Sequence, residues 1–208
     1  MSRTTEIIEL GWRLYSAKVA SGLLAPDNEK MMQLHLAQIF QVLAPLFESK
    51  TTEHYRVLLE VPVKLGTSTK IIDIVVEHIS GETVTRTAIE LKCFRLHGRA
   101  GNGKRGAQNL GMYDYWEDIA NLESYCADPT YVSGHQLTLT DDKYYANTKH
   151  TGPQVATYST WRGRAGVTGT FSHPIASRKG EISLRGAYSM CGWKQDGEFY
   201  FINQHADV

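Results

Sequence analysis

Three strand-like segments follow one another closely in this sequence, and they constrain the fold more than any other feature. They cover residues 55–65, 70–79 and 85–94, are rich in valine, isoleucine and leucine, and are separated by the turn-forming stretches GTST and SGET. Connections this short join antiparallel neighbours. The segments therefore predict a three-stranded antiparallel meander.

Helical patterns precede the meander. Thr4 or Thr5 can cap a first helix that ends near Ala20. A second helix follows residues 26–28 (Pro-Asp-Asn), carries an apolar residue every three to four positions, and should end at Pro45.

A third helical pattern and a fourth strand follow the meander. Residues 107–126 carry apolar positions at helical spacing, and residues 135–140 (HQLTLT) form a strand pattern. The helical positions are Leu110, Tyr113, Trp116 or Glu117, and Ala120. A helix between two strands is typical of a crossover, so the last strand is expected to lie parallel to one member of the meander. The order α, β, β, β, α, β predicts an α/β domain with a mixed central sheet flanked by helices.

The remainder of the chain gives weaker signals. Residues 144–183 are rich in glycine, serine and threonine and are expected to be irregular, and a terminal hairpin is expected to turn at Asp196 and Gly197. No clear boundary divides the chain. We therefore expect a single domain over 1–208, with a core of about 28–140 and a C-terminal elaboration over 141–208.

Charged residues interrupt two of the meander strands. Because side chains alternate between the faces of a strand, Glu90 and Lys92 in RTAIELKCF share one face. In the preceding strand Asp73 is expected to point with Ile71 and Val75 to one face. The other face is expected to be filled by Ile72, Ile74 and Val76. A carboxylate between isoleucines requires a physical reason.

A metal ion would supply that reason. If the strands pair through the SGET turn, Asp73 lies across from or diagonal to Glu90, and two carboxylates on one face repel each other unless a proton or a cation intervenes. Mg2+ takes oxygen ligands and binds through one or two carboxylates. Lys92 could then stabilise developing phosphate charge or orient the nucleophile. A structural ion-pair cluster of the same three residues is the alternative.

This arrangement resembles the PD-(D/E)XK nuclease superfamily. The order helix, meander, helix, strand carries Asp73, Glu90 and Lys92 at the spacing D-x(16)-E-x-K, and the resemblance covers about residues 28–140. Ile72 stands in place of the proline that gives the superfamily its name. The resemblance implies a restriction-endonuclease-like αβββαβ core. It also implies DNA phosphodiester hydrolysis with Mg2+, or with Mn2+ as a substitute, that leaves a 5′-phosphate and a 3′-hydroxyl.

Residue roles follow from the resemblance. Asp73, Glu90 and the backbone carbonyl of Leu91 would hold the metal, and Lys92 would help to activate or position the water. Glu29 best resembles the glutamate that many members place on the helix before the meander, although it could equally be an ordinary helix N-terminal residue.

Four further positions carry weaker resemblances. Glu48 and Glu60 are lesser candidates for the helix glutamate. Gln108, with Tyr113, loosely resembles a glutamine-to-tyrosine element of the exonuclease branch. Gln108 would orient Lys92 or a phosphate, whereas Tyr113 is more simply a core residue.

Two basic segments, residues 94–108 and 161–180, suit a phosphate backbone, although the formal net charge is zero from 22 basic and 22 acidic residues. Each Lys or Arg near a phosphate strengthens sequence-independent binding. We expect DNA contacts from Arg95, Arg99, Lys104, Arg105, Arg162 and Arg164. The second segment also contains Arg178 and Lys179. Solvated loops without a ligand are the alternative.

The sequence also bears on compartment and assembly. No apolar stretch is long enough to span a bilayer, and the N-terminal residues lack the apolar core of a signal peptide. Three scattered cysteines suggest neither a disulfide framework nor structural zinc. We expect a cytoplasmic protein without membrane contact. A homodimer would match the need to cut both strands of a duplex.

The most specific expectation is thus a restriction-type endonuclease. An exonuclease or repair nuclease of the same superfamily and an inactive DNA-binding or assembly module are the alternatives. A small-molecule phosphatase lacks support, because the sequence has no glycine-rich phosphate loop, no G-x-S-x-G and no aspartate-rich nucleophile motif. A protein-interaction module stays open because the net charge is zero.

Overall fold

The meander is present, and its strands are longer than the sequence pattern indicates. In this computed structural model, which describes residues 2–96, 108–153, 155–172 and 180–206, the strands are β1 (Glu53–Leu65), β2 (Ser68–Ser80) and β3 (Thr83–Phe94). Both pairings are antiparallel. The two connecting turns place Gly66 and Gly81 at φ near +60°, a conformation that glycine adopts without steric cost.

Two helices precede the sheet, as expected, but the first has a different cap. Helix α1 (Arg3–Ala20) is capped by Ser2, whose hydroxyl accepts a hydrogen bond from the backbone N–H of Thr5. The prediction of Thr4 or Thr5 as the cap was wrong because both lie inside the first turn. Helix α2 (Glu29–Leu43) is capped by Asn28, and a short 3-10 helix (Ala44–Phe47) follows at the proline.

The expected crossover is also present. Helix α3 (Gln108–Tyr125) leads into β4 (Tyr131–Thr140), which pairs in parallel with β3. A terminal hairpin of β7 (Lys194–Asp196) and β8 (Phe199–Ala206) adds to the sheet. The result is an α/β fold with a mixed six-stranded sheet in the order β1-β2-β3-β4-β8-β7.

The prediction of an irregular segment over 144–183 was wrong in part, although residues 158–166 form no helix or strand. The segment contains a one-turn helix, α4 (Lys143–Ala146), a 3-10 helix (Val155–Thr157) and β5 (Val167–Ser172), which pairs with β6 (Glu181–Tyr188) in a second, two-stranded sheet. A further 3-10 turn (Met190–Gly192) follows β6. Strand β5 is rich in glycine and threonine and carries little periodicity, so packing in the core shared with α3 decides its conformation, whereas β6 alternates exposed and buried residues.

A buried carboxylate joins the second sheet to α3. Glu123 accepts hydrogen bonds from the backbone N–H groups of Arg185 and Gly186, at 2.8 and 2.7 Å, and from the hydroxyl of Tyr188 at 2.6 Å. Its side chain is only 2% exposed. Three donors to one buried carboxylate fix the position of β6 on the helix.

The two faces of the six-stranded sheet have separate cores. Helices α1 and α2 cover one face, where Ile74, Val76, Ile89 and Leu91 are buried, and α3 covers the other. Glu90 and Lys92 therefore share the α3 face, as predicted. Among the described residues, no helix combines the length and apolar character needed to cross a membrane.

One part of the face prediction was wrong. Ile72 packs on the α3 side of the sheet with Val75, whereas Ile74 packs on the opposite side. The alternation breaks at Asp73, which lies between them and opposite Glu60, whose φ of 53° is unusual for a residue other than glycine. Such a local break re-aims side chains, and here it occurs at the candidate site.

Candidate active site

Asp73 lies where β2 separates from β3. The ladder between the two strands ends at the pair Ile74 and Ile89, so Asp73 and Glu90 occupy the next positions along the diverging strands. The Asp73 carboxylate oxygen Oδ2 accepts a hydrogen bond of 2.9 Å from the backbone N–H of Leu91. This bond replaces a ladder hydrogen bond and holds the carboxylate beside β3.

Glu90 is a buried carboxylate with one phenol partner. Its residue is 5% exposed, and the hydroxyl of Tyr125 on α3 donates to its Oε1 at 2.9 Å. Burial, together with the negative charges of Asp118 and Asp73, raises the pKa of Glu90 well above its ordinary value, against the opposing effect of Lys92. The carboxylates of this site therefore repel one another in the absence of a further cation.

Lys92 is held by carboxylates on two helices. Its Nζ lies 2.6 Å from Asp118 Oδ2 and 3.8 Å from Glu29 Oε2, and it donates to the Leu91 carbonyl at 3.2 Å. Burial alone would lower the pKa of Lys92, but the charges of Asp118, Glu29 and Glu90 outweigh it and raise the pKa. Lys92 is thus a protonated ammonium at neutral pH.

Asp118 is the principal site residue that the sequence reasoning missed. Burial raises its pKa to about 6, while the ammonium of Lys92 acts in the opposite direction. The predicted apolar stripe on α3 was wrong in part, because Leu110 and Ala120 are only half-buried. A polar stripe at helical spacing runs along the other side of the helix through Asp114, Asp118 and Asn121, and it could have identified the site-facing surface.

Lys92 and Asp118 border a cleft of about 770 Å³, whereas Asp73 and Glu90 are not among its lining residues. The start of α2 forms one wall with Asn28, Glu29 and Lys30, and Lys70 of β2 projects beside it. The other wall is formed by the end of β3 and by α3, with Lys92, Phe94, Gly111, Asp118 and Tyr145 among the lining residues. The cleft thus combines carboxylates and three lysines. Its aromatic end is formed by the stacked rings of Phe94 and Tyr145.

The structure brings Glu29, but not the two lesser candidates, to Lys92. Glu29 is the first residue of α2 and is 43% exposed at the cleft. Glu60 instead accepts hydrogen bonds from Gln33, at 2.7 Å, and from Lys30. Glu48 accepts from the backbone N–H of Tyr55, at 3.3 Å, near the start of β1.

Gln108 contacts a different partner from the one expected. Its amide donates to the carboxylate of Asp142, the residue that caps α4. The carboxylate that contacts Lys92 from α3 is that of Asp118. Tyr113 is buried and donates to the backbone carbonyl of Phe171 at 3.3 Å, which confirms its core position.

The described members of the basic set differ in their surroundings. Arg95 is ion-paired with Asp141 at 2.8 Å and donates to the Pro26 carbonyl at 2.6 Å. Arg164 donates to the carbonyls of Ser159 and Thr157, whereas the side chain of Arg162 is exposed. The other members of the set, Arg99, Lys104 and Arg105, lie outside the described residues, as do Arg178 and Lys179.

The donor set suits Mg2+ in its chemistry. Within the described ranges, no three His, Cys, Asp or Glu side chains are grouped closely enough to hold a metal by themselves. The hydrogen bonds of Asp73 and Glu90 occupy Oδ2 and Oε1, which leaves Oδ1 and Oε2 as oxygen donors, together with the Leu91 carbonyl, which also accepts a hydrogen bond from Lys92. Mg2+ binds through one or two carboxylates and completes its shell with water and phosphate oxygens, so this set fits it.

No protein-family model matches the chain, and neither a curated protein nor a solved structure matches it significantly. Function must therefore be inferred from the geometry of the site. That geometry consists of two crowded carboxylates on diverging strands, a protonated lysine one step along β3, and a helix carboxylate that holds the lysine.

Proposed function

We propose that the chain is a Mg2+-dependent deoxyribonuclease of the PD-(D/E)XK type, most specifically a restriction-type endonuclease. A single observation carries the proposal. Asp73, Glu90 and Lys92 lie together at the point where β2 leaves β3, and Lys92 lines the cleft. The spacing in sequence that resembles the superfamily therefore corresponds to proximity in space.

The burial and crowding of the carboxylates favour a metal role over a purely structural one. Glu90 has its pKa raised by burial and by Asp118 and Asp73, so its ionised form lacks sufficient positive charge nearby. A bound Mg2+ would supply that charge, and would supply a Lewis acid for a phosphoryl oxygen. Asp73, Glu90 and the Leu91 carbonyl are the groups that would hold it.

Lys92 would stabilise charge on the phosphate. Its pKa is raised by the neighbouring carboxylates, so it carries a proton at neutral pH and is suited to bind an oxyanion, not to accept a proton. Binding of a phosphodiester in the cleft would place its negative oxygens beside this ammonium. Hydrolysis by in-line attack would leave a 5′-phosphate and a 3′-hydroxyl.

Lys30, which is paired with Glu60, and Lys70, which lies 3.5 Å from Glu117, line the cleft, and Arg162 is exposed elsewhere on the surface. These groups are the described residues best placed to contact a DNA backbone.

A homodimer would supply two sites for the two strands of a duplex. Light scattering tests this assembly, because a protein that is monomeric at assay concentrations and still cuts both strands would exclude it.

An inactive DNA-binding module is the second candidate. The observation that favours it is the 2.6 Å ion pair between Lys92 and Asp118, because an ammonium satisfied by a carboxylate also suits a structural cluster. Both candidates predict DNA binding. Only the nuclease predicts cleavage that depends on a divalent metal.

Substitution of Asp73 by asparagine separates the two candidates. The Asp73→Asn side chain keeps an oxygen that can accept the Leu91 N–H, so the strand junction is preserved while one negative charge is lost. Wild type and variant are incubated with supercoiled plasmid, linear duplex and single-stranded DNA in Mg2+, Mn2+ or EDTA, and binding is measured separately in Ca2+.

We expect wild type to cleave in Mg2+ and the variant to bind DNA without cleaving it. Discrete bands would indicate a sequence-specific endonuclease, and loss from DNA ends would indicate an exonuclease. Cleavage that survives EDTA, or a fully active Asp73→Asn protein, would exclude the proposed metal site. A wild type that binds but never cleaves would favour the inactive module.

A further inference from the structure

We infer that α3 positions the catalytic strand through two residues, Asp118 and Tyr125, which hold the reactive ends of Lys92 and Glu90. The inference rests on the proposed nuclease function and adds two positioning residues to it. Neither residue belongs to the motif Asp73, Glu90 and Lys92 that the sequence resembles.

The spacing of the two residues places them on one helix face. Asp118 and Tyr125 are seven residues apart, which is close to two turns of an α-helix. Their partners, Lys92 and Glu90, are two residues apart on the same face of β3. One helix face therefore faces one strand face, with one contact at each end.

Both contacts are short and protected from water. Asp118 Oδ2 lies 2.6 Å from Lys92 Nζ, with the two side chains 13% and 16% exposed. The Tyr125 hydroxyl donates to Glu90 Oε1 at 2.9 Å, with Tyr125 1% exposed. The Tyr125 contact is a directional hydrogen bond and the Asp118 contact is a short ion pair, and each restricts the movement of its partner.

The helix that carries these groups is itself firmly packed. Ile119 and Leu122 are fully buried between the two positioning residues, and the indole N–H of Trp116 donates to the Tyr158 carbonyl at 2.8 Å. Functional groups held by a rigid element of this kind keep their geometry during turnover.

The two contacts have different consequences for the proposed reaction. Asp118 prevents the flexible stem of Lys92 from moving toward Asp73 or Glu90, so the ammonium stays available for the phosphate. Tyr125 fixes one oxygen of Glu90 and leaves Oε2 for the metal. Outer groups that orient metal ligands and their neighbours typically alter affinity or activity by about 10- to 100-fold when removed.

The test compares Asp118→Asn and Tyr125→Phe with matched variants of the same helix. Glu123→Gln also changes a buried carboxylate of α3 to an amide, and Tyr113→Phe also removes a buried hydroxyl, but their partners lie in β6 and at Phe171. Thermal unfolding is measured for all four, so that loss of stability is separated from loss of positioning.

For Asp118→Asn we expect kcat to fall by about 10- to 100-fold with KM for DNA unchanged. For Tyr125→Phe we expect an equal fall and a weaker affinity for Mn2+, measured by calorimetry without DNA. Glu123→Gln and Tyr113→Phe should lower the unfolding temperature and leave kcat unchanged. Wild-type turnover and Mn2+ affinity in both site variants would overturn the inference.

A second measurement does not depend on cleavage. An ammonium held by a buried carboxylate exchanges its protons slowly and gives a resolved 1H–15N signal, which Lys92→Met identifies by its loss. We expect Asp118→Asn to lose this signal while Glu123→Gln keeps it; a signal that persists in Asp118→Asn would overturn the inference. A wild type that shows the signal but cleaves no DNA would instead refute the proposed nuclease function, and with it the catalytic role assigned to α3.

Discussion

The ammonium of Lys92 lies 2.6 Å from the carboxylate of Asp118, so the lysine of the charged strand is tied to the helix that covers it. Both side chains are largely buried, at 16% and 13% exposure. Removing one member of such a pair leaves an uncompensated charge in a site of low polarity. The pair is therefore a stability element as well as part of the proposed site.

Substitution of Lys92 by methionine should destabilise the fold in a pH-dependent way. We expect a loss of about 3 kcal/mol at neutral pH, because Asp118 becomes a buried and unpaired carboxylate. The pKa of Asp118 is already raised to about 6, and loss of the lysine raises it further. A group whose pKa is raised by folding costs stability as pH rises through that pKa, so the defect should shrink at pH 5. Urea unfolding at both pH values measures it.

The double variant Lys92→Met with Asp118→Asn provides the control. It removes both charges, and replacement of a whole buried ion pair is often close to neutral. We expect it to recover most of the stability lost by Lys92→Met at neutral pH. A double variant no more stable than the single one would show that the two side chains act independently.

The motif residues could be located from the sequence because strand alternation is a strong local rule. Glu90 and Lys92 share a face as predicted, and the crossover through α3 places β4 parallel to β3 as expected. The face switch between Ile72 and Ile74 could not be predicted, since it depends on a local break opposite Glu60. Alternation alone assigns both isoleucines to one side.

Partners from distant segments were the least predictable part of the site. Asp118 and Tyr125 contact the strand only because α3 packs across it in one orientation, and no spacing in sequence encodes that orientation. The same limit applies to Gln108, whose amide reaches Asp142. Periodicity indicates which face of a helix is buried, but not which residue of a strand each position meets.

Glu53 should control the stability of the sheet edge in acid. Hydrogen bonds from the backbone N–H and hydroxyl of Ser49, with His78 and Arg3 nearby, lower the pKa of Glu53 from 4.5 to about 2. A carboxyl whose pKa is lowered by folding contributes stability above pH 4.5 that is lost progressively as pH falls toward 2. Glu53→Gln should therefore flatten the dependence of the unfolding temperature on pH in this window.

The matched control for that experiment is Glu82→Gln, an exposed glutamate at the turn between β2 and β3. This variant should keep the wild-type acid dependence. If Glu53→Gln and wild type lose stability in parallel between pH 5 and pH 2, other carboxyls are responsible, and the hydrogen bonds from Ser49 contribute little.

Gly111 should not tolerate a methyl group at the aromatic end of the cleft. A Cβ there would lie 2.6 Å from Tyr145 Oη and 3.0 Å from Phe94 Cε1, and these two rings are stacked with centroids 4.2 Å apart. Overpacking of this kind costs about 1–3 kcal/mol, against a gain of about 1 kcal/mol in helix propensity. We expect Gly111→Ala to be destabilised, as measured by urea unfolding.

Gly152→Ala is the corresponding control, because a Cβ at Gly152 would meet nothing within 4 Å. Its stability should remain close to that of wild type. A Gly111→Ala protein as stable as the Gly152→Ala protein would mean that the stacked rings shift easily and that this end of the cleft is adaptable.

Arg162 and Arg164 are two residues apart and should behave differently. The guanidinium of Arg164 donates to the carbonyls of Ser159 and Thr157, at 2.8 and 2.5 Å, and burial lowers its pKa. The side chain of Arg162 is exposed. We therefore expect Arg162→Ala to weaken DNA binding with no change in unfolding temperature, and Arg164→Ala to lower the unfolding temperature.

The salt dependence of binding tests the role of Arg162 directly. A side chain that contacts one phosphate contributes about 0.9 to the slope of log affinity against log salt concentration on duplex DNA. Fluorescence anisotropy in Ca2+, which avoids cleavage, should give a slope smaller by about this amount for Arg162→Ala. Because the guanidinium of Arg164 already donates to two backbone carbonyls, the folded Arg164→Ala protein should keep the wild-type salt slope. An unchanged slope for Arg162→Ala would assign DNA contacts to the cleft lysines instead, and the same titration on Lys70→Ala would then show the reduction.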